Sequence, residues 1–152
     1  MDSTAEEILA VNPDLVFLSN GPGDPEDLTE VIENIKQMIG VKPIVGICLG
    51  HQFLGLSLGG KTSKIKFGHR GCNHPVKDLE TNKVHITSQN HGYVVSELPE
   101  RVVATHININ DKTVEGMKHT TLPIYSVQFH PEACAGPNDS EYIFDRFMDF
   151  AI

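Results

Sequence analysis

The sequence predicts an α/β fold around a mixed, largely parallel central sheet, and three observations carry that prediction. Two short apolar runs, Leu15-Val16-Phe17-Leu18 and Ile44-Val45-Gly46-Ile47, suit strands covered on both faces. Each is followed by a stretch whose apolar residues recur at helical spacing. Beyond residue 80 the pattern alternates with period two, as half-buried strands do. Strand and helix in alternation imply right-handed crossovers onto a parallel sheet, and 152 residues suit a single core.

Taken in order, Thr4 to Val11 has the character of the end of a helix, and Asn12-Pro13-Asp14 turns the chain into the first apolar strand. Leu28, Val31, Ile32, Ile35 and Ile39 then line one face of a helix, with Glu30, Glu33, Asn34 and Lys36 on the other. Pro43 restarts the chain as the second strand. A helix over about Gly50 to Leu58 follows and ends at Gly59-Gly60. Lys83 to Gln89 alternates, with Val84, Ile86 and Ser88 on one face. Val103, Thr105, Ile107 and Ile109 do the same, as do Tyr125, Val127 and Phe129. A last helix begins near Asp139, with Tyr142, Ile143, Phe147 and Phe150 facing the sheet and Asn138 and Glu141 as a capping box. No repeat or low-complexity segment divides residues 1–152, which read as one domain. An α/β domain rarely begins with half a helix, so a first strand is expected before Thr4 and the domain reads as N-terminally incomplete.

Composition narrows the function classes. An apolar content of 39% and a charged content of 21% are those of an ordinary globular chain. A formal net charge of −8 argues against a nucleic-acid or anionic-membrane partner. No apolar run approaches the roughly 20 residues of a membrane span, and the acidic start, Asp2 to Glu7, lacks the layout of a signal peptide. Cys48, Cys72 and Cys134 are odd in number and widely spaced, so they imply no disulfide framework, and a reducing, cytoplasmic setting fits. His69, His74, His91 and His130 show no tight ligand spacing, so no metal is expected. Gly55 to Thr62 carries the letters Gly-x-x-x-x-Gly-Lys-Thr but trails a helix, where a phosphate loop runs from a strand into a helix, so no nucleotide or other cofactor is expected either.

The chemistry concentrates at Gly46-Ile47-Cys48-Leu49-Gly50-His51-Gln52, which places a cysteine between small residues at a strand-to-helix junction. A sharp turn there presents the sulfur at the carboxyl end of a strand, where open α/β sheets build their sites. The positive end of the helix favours a thiolate, and the unpaired N–H groups of its first turn, Leu49 foremost, can accept an oxyanion. A buried structural cysteine fits the same spacing. The companion feature is Phe129-His130-Pro131-Glu132. In extended chain His130 and Glu132 point to one side, so Glu132 can orient the imidazole and His130 can serve Cys48 as base and then as acid. The combination reads as a Cys-His-Glu nucleophilic site, Cys48, His130 and Glu132.

Gly-Ile-Cys-Leu-Gly-His-Gln with a distant Phe-His-Pro-Glu resembles the class I (triad) glutamine amidotransferases, over about Thr4 to Ile152. The loop Ser19-Asn20-Gly21-Pro22-Gly23-Asp24-Pro25 is similar to that family's glycine loop, where the absence of a Cβ lets backbone approach the substrate. The resemblance implies a flavodoxin-like sheet, hydrolysis of glutamine through a cysteinyl thioester, and glutamine contacts from Gly21, Gly23, Leu49, Gln52, Asn90, Gly92 and Tyr93. Without it, Asn90-His91-Gly92 reads as a hairpin turn. Lys66 to Val76 and Thr87 to Tyr93 look like the branch that serves carbamoyl-phosphate synthetases in pyrimidine or arginine biosynthesis. That branch implies a large subunit using ATP and bicarbonate as partner. It also carries an additional N-terminal domain, whose serine helps to bind glutamine. Two other functions suit the same residues: a non-catalytic or impaired module docked on a synthetase, and a γ-glutamyl or peptide cysteine hydrolase.

Overall fold

The computed structural model describes residues 4–18, 28–130 and 142–149, the side chains of Phe67, Cys72, Asn73 and Tyr142 excepted. The chain enters on α1 (Ala5–Ala10), which Thr4 caps by accepting the N–H of Glu7 at 3.2 Å. Asn12, at φ 49°, and Pro13 end it and lead into β1 (Val16–Leu18). Helix α2 (Thr29–Met38) buries Ile35 and Met38, and Gly40, at φ 83°, releases the chain toward β2 (Ile44–Ile47). Helix α3 (Leu49–Ser57) follows almost at once and stops at Gly59, at φ 103°.

After α3 the chain forms strands until its last helix: β3 (Lys61–Asp78), β4 (Val84–Glu97), β5 (Val102–Asn108), β6 (Val114–His119) and β7 (Ile124–Val127), then α4 (Tyr142–Asp149). They join one sheet in the order β1-β2-β7-β6-β5-β3-β4. The sheet is mixed, as expected, but its parallel part is smaller than expected among the described strands. Only β1 with β2 and β2 with β7 run parallel; the other four pairings are antiparallel. A parallel pair needs a crossover long enough to hold a helix, which α2 supplies, whereas the short turns joining β3 to β4, β5 to β6 and β6 to β7 permit only antiparallel neighbours. The start of α4 anticipated at Asp139, with its Asn138–Glu141 cap and Phe150, lies outside the described residues.

Strands β2 and β7 are buried along their whole length, because each sheet face carries its own core. Val16, Leu18, Ile44, Ile124 and Met117 pack on the side of α1, α2 and α3 with Ile35, Met38, Phe53 and Leu54. Val45, Ile47, Tyr125 and Val127 face the opposite way, against Ile143 and Phe147 of α4. The apolar run of β2 follows from this double cover, whereas β1, expected to be covered on both faces, leaves Phe17 exposed, and β7, expected to be half-buried, is buried throughout. Helix α3 is the most enclosed, with eight of its nine residues buried, so its polar His51, Gln52 and Ser57 must find partners inside the protein. Among the described residues no helix is long and apolar enough to cross a membrane.

Candidate active site

Cys48 occupies the single position between β2 and α3, at φ 55° and ψ −107°. An L-residue rarely adopts this backbone, which costs on the order of 1–3 kcal/mol. Three features hold it there. The Cys48 N–H donates to Val127 O at 2.9 Å, extending the β2–β7 ladder by one bond. Gly46 lets the first turn of α3 fold back on the strand, since a Cβ on it would stand 2.7 Å from Gly50 C. Gly50 lets α3 press on β1, since a Cβ there would stand 2.7 Å from the Leu18 Cβ and closer still to Leu18 O. The glycines either side of the cysteine thus serve close approach, which is how this segment turns so sharply.

The Cys48 residue is 4% exposed, and among the described residues its sulfur has two polar neighbours, Asn90 O at 4.0 Å and Gln128 Nε2 at 3.6 Å. Gln52, one turn along α3, donates from Nε2 to Tyr93 O at 2.8 Å and to Gln128 Oε1 at 3.0 Å. Asn90 and Tyr93 belong to β4, so the hairpin turn suggested by Asn90-His91-Gly92 is replaced by continuous strand. His130 follows β7 closely, and its N–H donates to Ser88 O at 2.9 Å, tying it to the same stretch of β4. Cys48, Leu49, Gln52, Asn90, Tyr93 and His130 therefore converge on one end of the sheet, with Gly92 between two of them in sequence. Gly21, Gly23 and Glu132 lie outside the described residues.

Gln128 is the residue that sequence reasoning missed. Its signal was a polar side chain inside the apolar run Tyr125–Phe129, two places before His130. It is fully buried, as is His51 of α3. The His51 Nδ1 lies 2.7 Å from Ser126 Oγ, while its Nε2 has no partner among the described residues. Burial, aided by the neighbouring His91 and His106, pushes its pKa down to about 3, so the ring is neutral.

Beside the site lies a second polar cluster that spacing along the chain conceals. His69 and His91 pair directly across β3 and β4, with ring centroids 4.9 Å apart, and Glu115 of β6 completes a buried group whose ligand atoms all lie within 4.8 Å. A metal could take this donor set by composition, yet most of its atoms already have protein partners. The Glu115 Oε2 accepts from Gln89 Nε2 at 2.6 Å and Asn108 Nδ2 at 3.0 Å, and His91 Nε2 lies 2.7 Å from Gln89 Oε1. Burial lifts the Glu115 carboxyl to about 7, against the pull of those two amides and His69. Burial also pushes His91 down to about 3.

The family model for class-I glutamine amidotransferases matches residues 1–150. The chain belongs to that family. It is 71% identical to the carbamoyl phosphate synthase small chain of Clostridium perfringens over 151 residues, covering 99% of this chain and 43% of that one. It is 58% identical to the pyrimidine-specific carbamoyl phosphate synthase small chain of Bacillus subtilis over 147 residues, 96% of this chain and 40% of that one. This amidotransferase domain thus spans about two-fifths of the length of these curated relatives. Among solved structures, a Thermoplasma acidophilum protein assigned to GMP synthase superposes with a TM-score of 0.84 at 25% identity, over 99% of this chain and 77% of that one. A glutamine amidotransferase from Thermotoga maritima shares the fold with a TM-score of 0.69 at 23% identity, over 98% of this chain and 66% of that one.

Proposed function

We propose that this amidotransferase domain hydrolyses the side-chain amide of glutamine and supplies the ammonia to the ATP- and bicarbonate-using large subunit of a carbamoyl-phosphate synthetase. The observation that carries the reading is Cys48 itself, a non-glycine residue at φ 55° where a strand becomes a helix, with its sulfur beside Asn90 and Gln128.

In the proposed reaction the Cys48 sulfur attacks the amide carbon, and a tetrahedral oxyanion forms. Leu49 is the first residue of α3, so its N–H has no acceptor within the helix and can receive that charge, together with backbone of the Gly21–Gly23 loop. His130, oriented by Glu132, takes up the thiol proton and returns it to the departing nitrogen. The C–N bond breaks, ammonia leaves, and a thioester remains on Cys48. Water then attacks the thioester and releases glutamate, restoring the thiol. Gln52, Asn90, Gly92 and Tyr93 hold the amino-acid end of the substrate, for which amide and main-chain groups have the needed donors and acceptors.

The test is release of glutamate from free glutamine, measured with and without the large subunit. Wild-type protein should release it, and Cys48→Ser should lose at least about a thousandfold of that activity, as expected when an attacking group is removed. A Cys48→Ser protein that still hydrolyses glutamine would refute the assignment. Cleavage of γ-glutamyl conjugates or peptides in place of glutamine would redirect it to a different cysteine hydrolase.

A further inference from the structure

We propose that Gln128 is a positioning residue for the Cys48 sulfur, donating an amide N–H to it and setting its direction of attack. The inference rests on the reaction assigned above and adds to it a residue that the triad does not include.

The orientation of an amide side chain is normally ambiguous, since its oxygen and nitrogen look alike. Here a main-chain carbonyl removes the ambiguity. Tyr93 O can only accept, so the Gln52 atom 2.8 Å from it is the nitrogen. That same nitrogen then meets Gln128 at 3.0 Å, so the Gln128 atom there is its oxygen. The other arm of the Gln128 amide, its nitrogen, is thereby turned onto Cys48 Sγ at 3.6 Å. Tyr93, Gln52, Gln128 and Cys48 form a directed chain in which each link fixes the next.

Backbone geometry reinforces it. Val127 O accepts the Cys48 N–H, and the side chain of the very next residue reaches the Cys48 sulfur, so two adjacent residues hold the nucleophile at both ends. The Gln128 N–H is itself spent on Glu115 O at 2.8 Å, which anchors the residue to β6. With Gln128 at 0% exposure and Gln52 at 2%, bulk water does not compete for these amides. A donor held beside the sulfur constrains its direction, and the bond strengthens when the sulfur carries charge during attack.

Gln128→Met keeps length and burial but has no N–H to donate. Gln128→Glu keeps the shape and the bond from Gln52 but turns an acceptor toward the sulfur. The readout is iodoacetamide modification of Cys48 in the intact protein, followed by mass spectrometry of the peptide that contains it. The rate should fall about three- to tenfold in Gln128→Met and further in Gln128→Glu. Glutamine turnover should fall in kcat by a similar factor, while KM changes less because Gln52 stays anchored on Tyr93 O. An unchanged modification rate in a folded Gln128→Met protein, or in Gln128→Glu should methionine disturb folding, overturns the proposal. Because modification is read without glutamine, a wild-type protein inert toward glutamine but sensitive to these substitutions would refute the reaction and still support the role of Gln128.

Discussion

At the scale of single residues, the backbone at Cys48 is maintained by atoms that are absent as much as by atoms that are present. Gly50→Ala would drive a methyl group into Leu18 O and Leu18 Cβ, so α3 must move away from β1 or the elbow must relax. We expect a loss of about 1–3 kcal/mol in urea unfolding. Glutamine hydrolysis should fall by more than about tenfold even where the protein remains folded, since small misplacement of a reacting group is costly. Full activity in Gly50→Ala would show that the close approach is not needed. Much of this site was legible in the sequence because its parts are local. The cysteine between small residues at a strand-to-helix junction announces itself locally, while Gln52 was reached through the family resemblance. Gln128 was not legible, because its meaning comes from a cysteine 80 positions away. The His69–His91–Glu115 cluster was hidden for the same reason, its members meeting only across three strands.

At the scale of elements, α4 is fastened by a polar group as well as by Ile143 and Phe147. Arg146 donates to Asp78 Oδ2 at 2.7 Å and to the Tyr125 hydroxyl at 2.9 Å, and Asp78 is fully buried. Burial alone would raise the Asp78 carboxyl; the hydrogen bond from Arg146, with His106 and the Glu80 N–H, more than reverses this and holds it below the usual carboxylate range. Its contribution is therefore present above about pH 4 and lost as pH falls through the lowered value. Arg146→Met should cost about 3–5 kcal/mol at neutral pH by leaving that carboxylate unpaired. Asp78→Asn in the same background should recover part of it, as measured by urea unfolding. Equal stability of the single and double variants would contradict the pairing. Helix α2 was readable from its apolar face at helical spacing, and β2 from an apolar run that both faces of the sheet bury. Strand β3 was not, because Gly68 at φ 66°, Gly71 at φ 107° and its register shifts break the period of two. Strand β6 escaped because it buries Glu115, where the pattern expects an apolar side chain.

At the scale of the whole molecule, buried titratable groups give the fold an asymmetric response to acid. His51, His91 and His106 are lowered to about 3, 3 and 4, chiefly by burial. Each binds fewer protons folded than unfolded below pH 6.5, so stability is full above that value and falls as acid enters the window. The loss is roughly 1.4 kcal/mol per histidine between pH 7.5 and 5.5. Glu115 acts in the opposite sense, because a carboxyl raised to about 7 is protonated more readily in the folded state and returns about 2 kcal/mol over the same interval. Urea unfolding should thus show a net loss of about 2 kcal/mol from pH 7.5 to 5.5. Glu115→Gln should be more stable than wild type at pH 8, where the buried carboxylate is charged, with the difference vanishing toward pH 5.5. A difference independent of pH would show that Glu115 does not titrate there.

Strand β4 meets the site largely through its spine. Ser88 O receives His130, Asn90 O faces the Cys48 sulfur, and Tyr93 O receives Gln52, and all three are main-chain oxygens. Exchanging those side chains leaves the oxygens where they are, so an alanine scan of residues 88 to 93 would underreport what the strand does. The vulnerable property is alignment: an insertion or deletion of one residue between β3 and β4 would displace all three acceptors together. Gln89 and His91 on the same stretch are committed by their side chains to the Glu115 cluster, so an engineer who wants to detune the site without touching the cysteine or that cluster should change the length of the hairpin.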